Sequence, residues 1–157
     1  MNTSFIHVDA GACIGCRTCE VSCAVNHQSD EQLGFHPRLR VYKASKDSAP
    51  AVCHHCEAAS CLSACPTGAL RKKNGIVEPV QTLCIGCKSC VMACPFGAVD
   101  IVADIGSHNM MTIVKCDMCQ HDPDGPACVR TCPTDALSVM TSERLQQLSQ
   151  RKRSRLF

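Results

Sequence analysis

The stretch CIGCKSCVMACP, residues 84–95, decides the fold of this chain. Its first three cysteines are spaced by two residues, a fourth follows after three more residues, and a proline comes directly after it. The whole chain has 16 cysteines in 157 residues, but no tryptophan, one tyrosine and four phenylalanines. Since aromatic side chains normally supply much of a buried core, we expect the cysteines to organise the interior instead.

The same pattern occurs near the beginning of the chain. Residues 13–23 read CIGCRTCEVSC and align residue for residue with residues 84–94. Two further groups keep the opening C-x2-C and the closing C-x3-C but have a longer middle, namely Cys53, Cys56, Cys61, Cys65 and Cys116, Cys119, Cys128, Cys132. The cysteines therefore form four groups of four, which indicates internal duplication.

The spacing within the groups indicates their chemistry. A C-x2-C-x2-C-x3-C-P run is typical of bacterial ferredoxins, in which three cysteines bind one 4Fe-4S cluster and the fourth binds the other cluster of a pair. Zinc sites instead use two C-x2-C pairs with a longer spacer, and the second and fourth groups alone fit that description. Three thiolates spaced by two residues are a poor zinc cage. We therefore expect 4Fe-4S clusters rather than zinc or free thiols.

The spacing between groups predicts how the groups pair. Eighteen residues separate Cys65 from Cys84, and they include a turn signal at residues 73–75 followed by apolar alternation. The second and third groups therefore look like one compact module, which leaves the first group to pair with the fourth. The predicted fold is α+β, with two duplicated ferredoxin-like modules of short helices and β-hairpins. We expect an inserted module over 49–105, a discontinuous module over 1–48 plus 106–140, and a basic C-terminal helix or tail over 141–157.

Local signals predict the secondary structure. Each C-x3-C segment reads as one or two helical turns, which end before the following proline where there is one. The tail reads as a helix that begins with Ser142 as N-cap and carries RKRSR at residues 151–155. This basic segment either contacts an acidic partner or nucleic acid, or is a solvated end of the chain. Apolar alternation predicts short strands near residues 5–8, 39–42, 75–80, 99–102 and 111–114.

The four groups, ending with KCDMCQHDPDGPACVRTCPTDAL at 115–137, resemble the four-cluster ferredoxin-like subunits of the molybdopterin (dimethyl sulfoxide reductase) oxidoreductases. Among these, the chain looks most similar to the iron-sulfur proteins of formate dehydrogenase and formate hydrogenlyase systems. The resemblance implies ligand sets that cross between groups: Cys13, Cys16, Cys19 with Cys132; Cys116, Cys119, Cys128 with Cys23; Cys53, Cys56, Cys61 with Cys94; and Cys84, Cys87, Cys90 with Cys65. These sets agree with the pairing that the spacing predicts.

The resemblance implies an electron-transfer protein with four 4Fe-4S clusters. It would relay electrons between a molybdopterin enzyme, such as formate dehydrogenase, and a hydrogenase or another reductase. We expect no catalysis by this chain, because it has no G-x-G-x-x-G or P-loop motif and little sequence beyond the cysteine groups. Two alternatives stay open: an iron-sulfur maturation or regulatory protein for such an enzyme, and a zinc-dependent nucleic-acid-binding module. We expect no nucleic-acid partner if iron is bound.

The sequence also predicts where the protein works. Residues 1–12 have no basic region, apolar region or twin arginine of an export signal. The longest charge-free stretch, residues 58–70, contains Pro66 and Gly68 and is shorter than the ~18 apolar residues that a membrane-spanning helix needs. We expect a cytoplasmic protein of anaerobic metabolism without a membrane span.

Five side chains beside predicted ligands are candidates for tuning the clusters. We expect His54 and His55 to donate hydrogen bonds to sulfur or to face solvent, because every group already has four cysteines. A cation near a cluster favours its reduced, more negative form. Arg17, Lys88 and Lys115 either have this role or are solvated side chains.

Overall fold

The computed structural model describes residues 3–28, 34–45, 47–103 and 111–154. Parts of the predicted modules (1–2, 29–33, 46 and 104–110) and the last residues of the predicted tail (155–157) lie outside the described residues. The described chain is a small mixture of short helices and short strands. In chain order the elements are β1 (Ser4–Val8), α1 (Thr18–Asn26), β2 (Arg40–Lys43), β3 (Ser48–Ala51), α2 (Ser60–Ser63), β4 (Leu70–Lys73), β5 (Ile76–Pro79), α3 (Ser89–Ala93), β6 (Val99–Val102), β7 (Thr112–Lys115), α4 (Ala127–Arg130), β8 (Leu137–Thr141) and α5 (Ser142–Ser154).

The described strands pair two by two in antiparallel sheets. β1 pairs with β8, and this brings the two ends of the chain together, with Ser4 opposite Thr141 and Val8 opposite Leu137. β2 pairs with β3, β4 with β5, and β6 with β7. A two-stranded sheet is only marginally stable alone, so each pair depends on what packs against it. All five strands expected from apolar alternation are confirmed.

The helices of the cysteine groups pack in the pairs expected from the sequence. α1 packs against α4, and α2 packs against α3. α3 ends at Ala93, and Cys94 has the extended conformation (φ −77°, ψ 114°) that a residue before proline prefers. α1, which has no proline after Cys23, continues to Asn26. The prediction that proline ends these helices is therefore confirmed.

Two separate apolar clusters support the two helix pairs. The first cluster includes Ile6, Leu39, Val41, Val52 and Leu137, and the second includes Ala69, Leu70, Val77, Val99 and Ile113. Cysteines belong to both clusters. The apolar residues are small or medium-sized, as the lack of aromatic residues predicts.

Two strand pairs connect the predicted modules. The β2–β3 hairpin spans the predicted boundary between residues 48 and 49. The β6–β7 pair likewise joins residues on both sides of position 105, and Ile113 of β7 lies in the second apolar cluster. The two modules therefore share structural elements at their borders.

Backbone conformation before α1 and α3 is the same. Arg17 and Lys88, which precede these helices, both have left-handed conformations, with φ of 63° and 62°. Gly15 and Gly86 also have positive φ, at 67° and 72°. The two C-I-G-C loops thus turn in the same way, and glycine takes the position where a side chain would be strained.

The C-terminal helix α5 differs in one respect from the prediction. Thr141, not Ser142, is its N-cap, because the Thr141 hydroxyl accepts a hydrogen bond from the backbone N–H of Arg144 at 3.3 Å. Ser142 is the first helical residue, and its hydroxyl donates to the carbonyl of Thr3 at 3.4 Å. Among the residues that the structure describes, no helix combines the length and apolar character needed to cross a membrane.

Candidate metal centres

Two pockets each bring together four cysteine side chains from two different groups, and interactions between thiols indicate two further sets of four; we name these sets sites A to D. Site A is lined by four cysteines: Cys13 and Cys16 of the loop before α1, Cys19 of α1 itself, and Cys132, which follows α4. Leu137 and Val41 complete the wall of this pocket. The last cysteine of the fourth group therefore lies beside the first three of the first group.

Site C has the same arrangement in the second helix pair. One pocket is lined by Cys53, Cys56, Cys61 and Cys94. The first three belong to the loop before α2 and to α2 itself, whereas Cys94 follows α3. His55, Val77 and Lys115 also line this pocket.

Site B is inferred from interactions between thiols. Burial raises the pKa of Cys128, and charge repulsion from Cys116, Cys23 and Cys119, with a smaller contribution from Cys19 of site A, raises it further. Cys23 lies in α1, far in sequence from the other three. It accepts a hydrogen bond from the backbone N–H of Arg38 at 3.4 Å.

Site D is recognised in the same way. Burial raises the pKa of Cys90, and the thiols of Cys65 and Cys84 add to this increase by charge repulsion. Cys65 also acts on Cys87, the fourth member of the site. Cys65 follows α2, and its sulfur accepts a backbone hydrogen bond from Ala69 at 3.2 Å.

Sites B and C adjoin each other. Burial raises the pKa of Cys116 to about 12, and Cys53 of site C contributes to this through charge repulsion. Lys115 lies between the two sites: its Nζ donates to Sγ of Cys53 at 3.0 Å and to the carbonyl of Cys116 at 3.2 Å. By contrast, Cys16 of site A and Cys87 of site D are exposed. The structure thus has two inner sites and two outer ones.

The candidate tuning residues differ in burial. Lys115 and His55 are fully buried, each with 0% of its surface exposed. The Arg17 side chain is 59% exposed and lies 3.9 Å from the carboxylate of Glu20, and Lys88 is exposed. Arg17 and Lys88 are exposed, as solvated side chains would be, although Arg17 also lines the pocket of site A; Lys115 is not a solvated side chain.

The two neighbouring histidines have different surroundings. Nδ1 of His55 accepts a hydrogen bond from the backbone N–H of Val77 at 3.1 Å, and burial together with the charge of Lys115 lowers its pKa to about 3. His55 is therefore neutral. The ring of His54 lies near those of Phe5 and Phe96, with centroids 5.8 and 4.1 Å away. Burial lowers the pKa of His54.

A polar network beside site B was not predicted from the sequence. The Asp117 carboxylate binds Nε2 of His27 at 3.0 Å and Nη1 of Arg38 at 2.6 Å, and accepts the backbone N–H of Cys119 at 3.0 Å. His27 also lies 3.7 Å from the sulfur of Cys23. The residues of this network come from three segments of the chain, so no spacing in the sequence indicates the network. The one local indication of it is that an aspartate follows directly after Cys116.

The donor atoms fit iron-sulfur clusters. All sixteen cysteines lie in the described part of the chain, and none of them forms a disulfide. Four thiols at each site suit a cubane with four iron corners. Backbone N–H groups point at the sulfurs of several sites, for example His55 at Cys53, Ala98 at Cys94 and Met118 at Cys116. Nε2 of His55 is buried beside site C without a protein partner, as a donor to a bound group would be.

Comparison with known proteins agrees with this chemistry. Residues 45–142 match the 4Fe-4S dicluster domain, and residues 5–28 match a 4Fe-4S binding domain. The chain belongs to the 4Fe-4S dicluster family. Its function is electron transport, and its cofactors are 4Fe-4S clusters.

Several relatives of this family member are Escherichia coli proteins. The "electron transport protein HydN" of strain K12 is 43% identical, and the match covers 96% of this chain and 95% of the relative. The "putative electron transport protein YsaA" is 44% identical over 91% of this chain and 93% of the relative. "Formate hydrogenlyase subunit 2" is 38% identical over 98% of this chain and 89% of the relative. Two of these names describe electron transport, and none describes a catalytic subunit.

Proposed function

We propose that this protein binds four 4Fe-4S clusters, one in each of sites A to D. The observation that carries this proposal is the crossing of cysteines between groups. In site A, Cys132 lines a pocket with Cys13, Cys16 and Cys19, and in site C, Cys94 lines one with Cys53, Cys56 and Cys61. Each of these pockets combines three closely spaced cysteines of one group with the last cysteine of another, as in two-cluster ferredoxins, whereas a structural zinc site is built from two C-x2-C pairs.

The proposed ligands are the four thiolates of each site. They are Cys13, Cys16, Cys19 and Cys132 for site A; Cys23, Cys116, Cys119 and Cys128 for site B; Cys53, Cys56, Cys61 and Cys94 for site C; and Cys65, Cys84, Cys87 and Cys90 for site D. Burial raises the pKa of Cys19, Cys116 and Cys128. These thiols must lose their protons to bind iron, so cluster binding and proton release are coupled.

The sites form a path through the protein in the order A, B, C, D. Cys19 of site A and Cys23 of site B lie one helical turn apart on α1, and Cys61 and Cys65 connect sites C and D in the same way across α2. Lys115 and the repulsion between Cys116 and Cys53 connect B with C. Electrons enter at one exposed end and leave at the other, near Cys16 and Cys87.

The two ferredoxin-like modules are the proposed units of this path. The discontinuous module, residues 1–48 plus 106–140, holds sites A and B, and the inserted module, residues 49–105, holds sites C and D. The β1–β8 pairing and the two apolar clusters support this division. Lys115 and Cys116 belong to the discontinuous module, and both interact with Cys53 of the inserted module.

We propose formate-linked partners for this path. The relatives include a subunit of formate hydrogenlyase, and this supports a relay from a molybdopterin enzyme of the formate dehydrogenase type to a hydrogenase or another reductase. The proposed location is the cytoplasm. Each 4Fe-4S cluster supplies one-electron redox chemistry, while the protein fixes its position and surroundings.

The relay is tested by mixing the loaded protein with a molybdopterin-dependent formate dehydrogenase and formate under anaerobic conditions. We expect formate to bleach the visible absorbance of the protein, and a hydrogenase added afterwards to restore it with release of hydrogen. The matched control is the Cys16→Ser variant, which changes an exposed ligand at one end of the path. Unchanged absorbance with formate, in a protein that dithionite does reduce, contradicts the proposed partners.

A further inference from the structure

Lys115 is a buried cation with a complete set of acceptors. Its Nζ donates to Sγ of Cys53 at 3.0 Å, to the carbonyl of Val77 at 2.9 Å and to the carbonyl of Cys116 at 3.2 Å. An ammonium group has three hydrogens and no acceptor, so this geometry is that of a charged lysine. In the described part of the chain, no other lysine or arginine is buried.

His55 presents a second donor to the same site. Because Val77 donates its N–H to Nδ1, the proton of the neutral ring lies on Nε2. Nε2 is buried and has no partner in the protein, and the ring lines the pocket of site C. A buried N–H without an acceptor costs about 1–3 kcal/mol, so a bound group with a sulfur acceptor would remove this cost.

Site D, the other site of the inserted module, has weaker donors. The backbone N–H of Ala69 and the hydroxyl of Thr67 lie 3.2 and 3.6 Å from the sulfur of Cys65, and the hydroxyl and backbone N–H of Ser89 donate to Cys87. These donors carry no charge. The nearest cation in sequence is Lys88, which is exposed to solvent. Water screens such a charge far more than the protein interior screens Lys115.

We propose that Lys115 and His55 raise the midpoint potential of the cluster in site C above that of the cluster in site D, so that an electron in the inserted module rests at site C. Reduction adds one negative charge to the cluster, and a fixed cation and an N–H donor stabilise that charge. The two side chains therefore set the direction of electron flow within the inserted module, from site D towards site C. This inference rests on the proposed four-cluster function.

The test is a redox titration of the anaerobically purified protein followed by electron paramagnetic resonance. In Lys115→Gln, which keeps a polar side chain near the two carbonyls, we expect the reduced-to-oxidised ratio of one cluster to fall about tenfold at fixed potential, or ~59 mV for one electron. The matched control Lys88→Gln removes an exposed cation beside site D. In this variant we expect the reduced-to-oxidised ratio of each cluster at fixed potential to change by less than about twofold. Equal shifts in both variants, or none in Lys115→Gln, would overturn the inference.

A second measurement avoids the risk that a buried substitution disturbs folding. In Cys56→Ser, one ligand of site C is exchanged, and the signal that changes identifies the site C cluster. Cys84→Ser identifies the site D cluster in the same way. We expect the signal assigned to site C to have the higher potential of the two in the unsubstituted protein, and the reverse order would refute the inference. Iron content below four clusters would instead contradict the proposed function.

Discussion

Arg38 and Asp117 form a close ion pair, with 2.6 Å between Nη1 and Oδ2. Arg38 precedes β2 and donates its backbone N–H to the sulfur of Cys23, whereas Asp117 lies between Cys116 and Cys119, so the pair connects the segment that contacts the first cysteine group with the fourth group. The same carboxylate accepts the N–H of Cys119 and contacts His27. The His27 and Arg38 partners hold the pKa of Asp117 well below its usual range, although burial opposes this. The carboxylate therefore fixes the loop that carries Cys116 and Cys119.

We expect Asp117→Asn to weaken site B selectively. The amide keeps the shape of the side chain but loses the charge, and a hydrogen bond to a charged group contributes about 1.5–3 kcal/mol. Mild treatment with an iron chelator, followed by absorbance and iron analysis, should remove the cluster of site B about tenfold faster than the other three clusters. Asp122→Asn is the matched control, because Asp122 pairs with Arg130 at the surface at 2.9 Å. Equal rates in the two variants would show that the Asp117 network does not stabilise the site.

Cys132→Ser tests the crossing of ligands. Because the side chain lines the pocket with Cys13, Cys16 and Cys19, we expect the spectroscopic signal of the site A cluster to change. The signal that responds to Cys128→Ser should be a different one, although Cys128 and Cys132 are close in sequence. Electron paramagnetic resonance of the reduced variants distinguishes the signals. If both substitutions alter the same cluster, the crossed arrangement is wrong.

The first apolar cluster is expected to stabilise the fold around site A, because Leu137 belongs to the cluster and lines that pocket. Leu137 is 3% exposed, and truncation of a buried leucine to alanine costs about 2–5 kcal/mol. We expect the Leu137→Ala variant to lose its clusters at clearly lower guanidinium concentrations than the unsubstituted protein, as measured by visible absorbance. Leu148→Ala in α5 is the control, since Leu148 is 37% exposed and a surface change is expected to cost less than about 0.5 kcal/mol. Similar midpoints for the two variants would contradict the assigned core.

Sequence patterns predicted the elements whose signals are local. Alternation marked β1 and β7, and proline marked the end of α3. The pattern missed three strands. β3 contains Pro50, which normally disfavours a strand; only Leu70 of the four residues of β4 is buried; and the two buried residues of β8, Leu137 and Met140, do not alternate. All three strands pair along their whole length with a neighbouring strand.

At the candidate sites, too, the sequence predicts local features but not contacts between distant parts of the chain. The spacing of cysteines is a local property, so the four groups are visible in the sequence, and the crossed ligand sets remain a prediction. The burial of Lys115 depends on the carbonyl of Val77 in a distant strand, and no pattern around residue 115 indicates this contact. The choice between Thr141 and Ser142 as N-cap is also decided by packing at the end of β8.

The central claim, four 4Fe-4S clusters in one chain, is tested most directly by iron and acid-labile sulfide analysis of anaerobically purified protein. Four irons and four sulfides for each of four sites give about 16 of each per chain. Metal analysis of the same sample should show zinc far below one ion per chain. About eight irons and eight sulfides, or stoichiometric zinc with little iron, would contradict the account.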